Sequence, residues 1–93
     1  MDVREIGIPV NYLKGGIYGY LFFKEDEIYF QPSKFNIRKK ELHIRFNEIR
    51  GVEPYKALGI LNERFIIYTK DDKQYKFSAF NSKKLVEYIR SNI

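Results

Sequence analysis

The stretch that most constrains the fold is G-I-Y-G-Y-L-F-F-K-E-D-E-I-Y-F-Q-P, residues 16–32. Its β-branched and aromatic runs, Ile17–Phe23 and Ile28–Phe30, flank the charged tetrapeptide Lys24-Glu25-Asp26-Glu27, and together they predict two strands and a hairpin. Successive side chains of a strand point to opposite faces. Ile17, Gly19, Leu21 and Phe23 therefore share one face, and Ile28 and Phe30 continue it. That face is assigned to the core. The other face carries Tyr18, Tyr20, Phe22 and Tyr29. A half-buried sheet needs only one apolar face, so these four outer aromatics call for a separate explanation.

The flanking segments extend the β pattern. Ile6, Ile8, Val10 and Tyr12 recur at a spacing of two, with Pro9 placing their strand near an edge or bend, and Gly15-Gly16 permits a tight turn. Pro32 is expected to end the third strand, because proline donates nothing to a ladder. Leu42, Ile44 and Phe46 alternate with His43, Arg45 and Asn47, a strand with one wet face. Ile49 and Val52 open a fifth strand running to about Tyr55 or Leu58. Arg64–Thr69 and Gln74–Ser78 form a second hairpin across Lys70-Asp71-Asp72-Lys73.

The period then changes. Asn81 is a candidate N-cap, and Phe80 and Leu85 have the spacing of a hydrophobic staple. Leu85, Tyr88 and Ile89 share one helical face. The expectation is a mainly β fold of about seven antiparallel strands within residues 5–79, closed by one C-terminal α-helix over about 82–92. With 93 residues, the chain is read as a single domain, 1–93.

Several chemistries lack their residues. The absence of cysteine removes disulfides and thiolates. His43 is the only histidine, so no His-based metal cluster or His–His acid/base pair can form. Glu25-Asp26-Glu27 and Asp71-Asp72 sit in tight turns, where acidic side chains bond turn amides and stay solvated. Gly15, Gly16 and Gly19 lack the following Gly-Lys-Ser/Thr and helix of a phosphate loop. The reading is a binding module rather than an enzyme, without cofactor, metal or catalytic residue. The N-terminal residues lack the pattern of a signal peptide, and no apolar run approaches the roughly 20 residues of a membrane span. A cytoplasmic location is expected.

Charge points to a partner class. The net charge is +5, and Lys34, Arg38, Lys39 and Lys40 fall within an acid-free interval. The rest of the chain is close to neutral. Such a basic interval attracts an anionic surface, lipid headgroups or nucleic acid. Phe35 and Ile37, interleaved with it, could dip into a membrane interface or fill the end of a barrel.

The order of these pieces resembles the GRAM-like branch of the pleckstrin-homology superfold. The resemblance runs through Gly19-Tyr20-Leu21-Phe22-Phe23, Ile28-Tyr29-Phe30-Gln31-Pro32 and Leu42 to Val52. It continues through Ile67 to Lys73 and Tyr75-Lys76-Phe77, ahead of the helix. It implies two nearly orthogonal antiparallel sheets forming a partly open barrel plugged by the helix. It also implies a module that binds acidic lipids or proteins, or acts as a scaffold. In lipid-binding relatives the basic cluster lies around the first hairpin loop. Here that loop offers Lys14, while Tyr18 and Tyr20 occupy the next strand and the basic residues gather at 34–40.

Two expectations follow. In the first, Lys34, Arg38, Lys39, Lys40 and Lys14 dock the chain on an anionic membrane surface or acidic ligand, peripherally at the inner membrane. In the second, Tyr18, Tyr20, Phe22 and Tyr29 form an interface for a protein partner or a homo-oligomer. Nucleic acid ranks third, because no recognition helix or RNA-binding motif accompanies the pI of about 9.4.

Overall fold

Alternation becomes burial as the hairpin pattern requires. The computed structural model describes residues 7–34, 40–55 and 64–93. It contains strands β1 (Ile8–Tyr12), β2 (Ile17–Phe23), β3 (Glu27–Pro32), β4 (Leu42–Arg45), β5 (Ile49–Tyr55), β6 (Arg64–Thr69) and β7 (Gln74–Ser78), followed by helix α1 (Ser82–Arg90). Ile17, Leu21, Phe23, Ile28 and Phe30 are all buried, and Phe23, Ile28 and Phe30 are wholly enclosed. The hairpin register pairs Leu21 with Phe30 and Phe23 with Ile28, which places the four on one face.

The seven strands form one antiparallel sheet in the order β4-β3-β2-β1-β7-β6-β5. The resemblance implied two sheets. Here two meanders are joined only where Asn11 and Tyr12 of β1 pair with Ser78 and Phe77 of β7. Seven strands about 4.8 Å apart would lie nearly 30 Å across but only about 10 Å thick if flat. The chain measures 31 × 31 × 30 Å, so the sheet must curl around its buried face. β4 and β5 are its edges, leaving a partly open barrel.

The junction is also the centre of the core. Tyr12, Phe30, Phe65 and Phe77 meet there, with the Phe77 ring 5.2 Å from Tyr12, 5.8 Å from Phe30 and 5.5 Å from Phe65. Burial raises the pKa of the Tyr12 phenol, helped by the neighbouring Tyr75. Helix α1 packs on β5 and β6 and buries Leu85, Val86 and Ile89. Arg90 Nε donates to the Val52 carbonyl at 3.2 Å, tying the helix to edge strand β5.

Three boundaries differ from the sequence reading. β3 does end at Pro32, as expected, but it runs two residues past Phe30, and Pro32 itself pairs with Gly19. The Ser33 amide donates to Tyr18 O at 2.9 Å, so the nitrogen of Pro32 faces the β4 side. β4 pairs only as far as Phe30, and the missing donor is not needed there. The fourth strand stops at Arg45, and Phe46–Glu48 form a 3-10 turn held by the Phe46 amide donating to Asp26 O at 3.0 Å. Phe46 stays buried by this route.

The third difference matters most. Asn81 precedes the helix without a side-chain cap bond, and Phe80 is 93% exposed, so the expected staple onto Leu85 does not form.

The β6–β7 turn is held by side chains. Thr69 is buried, its hydroxyl donates to Asp71 Oδ1, and it accepts the Lys73 amide at 3.0 Å. The Thr69 bond, more than Lys73, holds the Asp71 carboxyl below its usual pKa. A depressed carboxylate stabilises the fold above its unfolded pKa, and that contribution disappears as pH falls through the folded value. Asp71→Asn is therefore expected to lower the urea midpoint at pH 7. The gap from the parent should close below the ordinary carboxylate range. A gap unchanged at acid pH would contradict this turn.

Candidate functional site

The outer aromatics separate into two groups. On β2-β3-β4 the register aligns Phe22 with Tyr29 and Tyr29 with His43. Their rings stack at 6.0 and 4.7 Å, and Lys24 Nζ lies 4.8 Å from the Tyr29 ring centre. His43 Nδ1 is 2.6 Å from Glu27 Oε2. Burial raises the Tyr29 phenol pKa, followed by the charge of the hydrogen-bonded Glu41 carboxylate. Phe22 and Tyr29 are half-buried in this ladder. Cross-strand stacking accounts for both of them.

Tyr18 and Tyr20 behave differently. They are 65% and 44% exposed. Register sets Tyr20 opposite Pro9 and Tyr18 opposite Asn11 on β1. Asn11 in turn faces Ser78 of β7, two residues before Phe80. Pro9, Asn11, Tyr18, Tyr20, Ser78 and Phe80 line one groove of about 530 Å³ across β2-β1-β7. None of the described residues lining it is acidic.

Exposed aromatic rings around a concavity are costly to leave in water and favourable to cover. Phe80 stands there in the short connection between Ser78, the end of β7, and Ser82, the start of α1, exposed while its neighbour Ala79 is buried.

Ser33 also lines the groove, so Lys34, the next residue, follows at its rim. Lys34 and Lys40 are exposed, whereas Arg38 and Lys39, with Phe35 and Ile37, fall outside the described residues. Tyr12 pairs with Ile17 and Gly19 with Pro32, so the turn carrying Lys14 and the segment starting at Ser33 leave the same end of β2. Lys14 is exposed there.

Sequence reading found Tyr18 and Tyr20 and missed Pro9, Asn11, Ser78 and Phe80. Phe80 was assigned to a staple, and the others are unremarkable until β1 meets β7. Among the described residues no cluster of three metal-ligating side chains occurs. No described helix is long and apolar enough to cross a membrane.

Comparison with known proteins adds architecture alone. No family model matches the chain, and no curated protein matches it. Among solved structures it is similar to the C-terminal domain of an unknown protein from Leishmania infantum, with a TM-score of 0.79 at 14% identity. The match covers 94% of this chain and 80% of that one, so the curled sheet and its terminal helix recur with little sequence in common.

Proposed function

We propose that the chain is a non-catalytic binding module of pleckstrin-homology-like type, and that its groove on β2-β1-β7 receives a polypeptide segment of an acidic partner protein. The observation that carries this reading is the convergence of exposed Tyr18, Tyr20 and Phe80 with Pro9 on one concavity. Tyrosine and phenylalanine bury large area at low entropic cost, which is why aromatics are enriched in interface cores.

Charge selects the partner's sign. The groove lining holds no described carboxylate, its rim leads into Lys34, and Lys14 lies at the same end of β2. A chain of net charge +5 repels its own copy, so complementarity favours an acidic partner over self-association. Lys34 and Lys14 then act as an electrostatic flank of the groove. Docking on an anionic membrane is the competing use of the same lysines.

The test is selection of a random dodecapeptide library on the immobilised chain, beside the double variant Tyr20→Ser/Phe80→Ser. Both side chains are exposed, so the variant should keep its stability within about 0.5 kcal/mol. The parent should enrich peptides that the variant binds at least tenfold more weakly. Equal binding by parent and variant would remove the groove. Co-sedimentation with vesicles containing phosphatidylserine, abolished by Lys34→Glu/Lys40→Glu while no peptide is enriched, would favour the membrane instead.

A further inference from the structure

The floor of the groove continues into a polar row that the aromatic walls do not explain. Register sets Tyr18 opposite Asn11, Asn11 opposite Ser78, and Ser78 opposite Arg64 of β6. Directly opposed residues of neighbouring strands share a face, with Cβ atoms about 4.5–5.5 Å apart. Asn11, Ser78 and Arg64 therefore stand side by side on the outer face, over roughly 10 Å. The core-facing neighbours along the same strands are Tyr12, Phe77 and Phe65.

The row is polar and incompletely paired. Asn11 Oδ1 and Arg64 Nε are buried, and neither has a hydrogen-bond partner among the described residues. Ion pairs among those residues join His43 to Glu27 and Glu41, Arg50 to Asp72, and Lys73 to Asp71, and none involves Arg64. Glu53 is the nearest acidic residue by register, opposite Ile66 and so two positions along β6 from Arg64. A guanidinium presents donors in a fixed fork matched to carboxylate or phosphate, a serine hydroxyl beside it adds a further donor, and the unpaired Asn11 Oδ1 is an acceptor that calls for an N–H. Lys76, two residues before Ser78 on the same face of β7, adds positive charge.

We infer that Arg64 and Ser78 form an anion-accepting subsite that reads one carboxylate or phosphoryl side chain of the segment held in the groove, while Asn11 Oδ1 beside them accepts a backbone N–H of the same segment. This inference rests on the groove reading and adds the chemistry recognised there. The aromatic rings supply area, and the row supplies the requirement for a negative group. Arg64 makes the charged contact, Ser78 donates a hydroxyl, and Asn11 Oδ1 accepts an N–H of the bound segment.

The experiment is a double-mutant cycle using the most strongly selected dodecapeptide. Its acidic residue is replaced by Gln in one synthetic peptide and by phosphoserine in another. Affinities are measured on the parent, Arg64→Gln, Arg64→Lys and Ser78→Ala. Arg64→Gln should weaken the acidic peptide at least fivefold and leave the Gln peptide unchanged. Arg64→Lys should recover part of that loss. Binding of the phosphoserine peptide at least as tightly as the acidic one assigns the subsite to a phosphoryl group, and weaker binding assigns it to a carboxylate. Equal losses for acidic and Gln peptides on Arg64→Gln, or no loss for either, would overturn the subsite while the groove stands. Unchanged binding to Tyr20→Ser/Phe80→Ser would overturn the groove and the subsite with it. Well-dispersed amide spectra of each variant exclude misfolding as the cause of a loss.

Discussion

Replacement of Phe77 by Ala is expected to cost about 3–5 kcal/mol, because the ring is wholly buried where the two meanders join. It touches the rings of Tyr12, Phe30 and Phe65, drawn from β1, β3 and β6, and no single neighbour can move to fill the space. The penalty combines lost transfer energy with an unfilled cavity. Domains of this kind are stable by about 5–15 kcal/mol, so the variant would sit close to the threshold of folding. Urea unfolding should show a midpoint lowered by about 1 M or more, given slopes of about 1–3 kcal/mol per molar. A loss below about 1 kcal/mol would mean that β1 and β7 are not joined as described.

Gly19→Ala is the second large effect, and it arises from excess volume. A methyl group at Gly19 would lie 2.3 Å from the Gln31 carbonyl oxygen and 2.8 Å from the Phe30 ring. The carbonyl belongs to the paired neighbouring strand and cannot swing aside as a flexible side chain would. Overpacking of this kind costs about 1–3 kcal/mol, and the backbone clash places Gly19→Ala near the top of that range. Gly51→Ala is the matched control, since nothing lies within 4 Å of its added methyl. It should be neutral or stabilising by up to about 1 kcal/mol, through reduced freedom of the unfolded chain. Equal costs at the two sites would contradict the close approach of β2 to β3.

Much of the fold was legible because burial repeats with the period of the strand. Leu21, Phe23, Ile28 and Phe30 announce their face without knowledge of their partners, as do Phe65, Ile67 and Phe77. The helical face of Leu85 and Ile89 was equally plain. Local patterns do not carry information about which strands meet. The short β1–β7 junction brings Asn11 beside Ser78, residues far apart in the chain. The groove exists only because of that pairing. Phe80 was misread for a related reason. Its spacing to Leu85 suits a staple, but spacing says nothing of the direction in which the chain enters the helix. Alternation puts the four outer aromatics on one face but does not show that they fall into two groups. Phe22 and Tyr29 stack with His43, while Tyr18 and Tyr20 have Pro9, Asn11 and Phe80 around them.

The most direct test of the binding surface is an amide-shift map of the chain during titration with the selected dodecapeptide. The groove predicts the largest displacements at residues 9–11, 18–20 and 78–80, with smaller ones at Lys34 on the rim. Displacements confined to Tyr29 and His43 on the stacked ladder, or to Asn47 and Asn92 at the far end of the barrel, would contradict it.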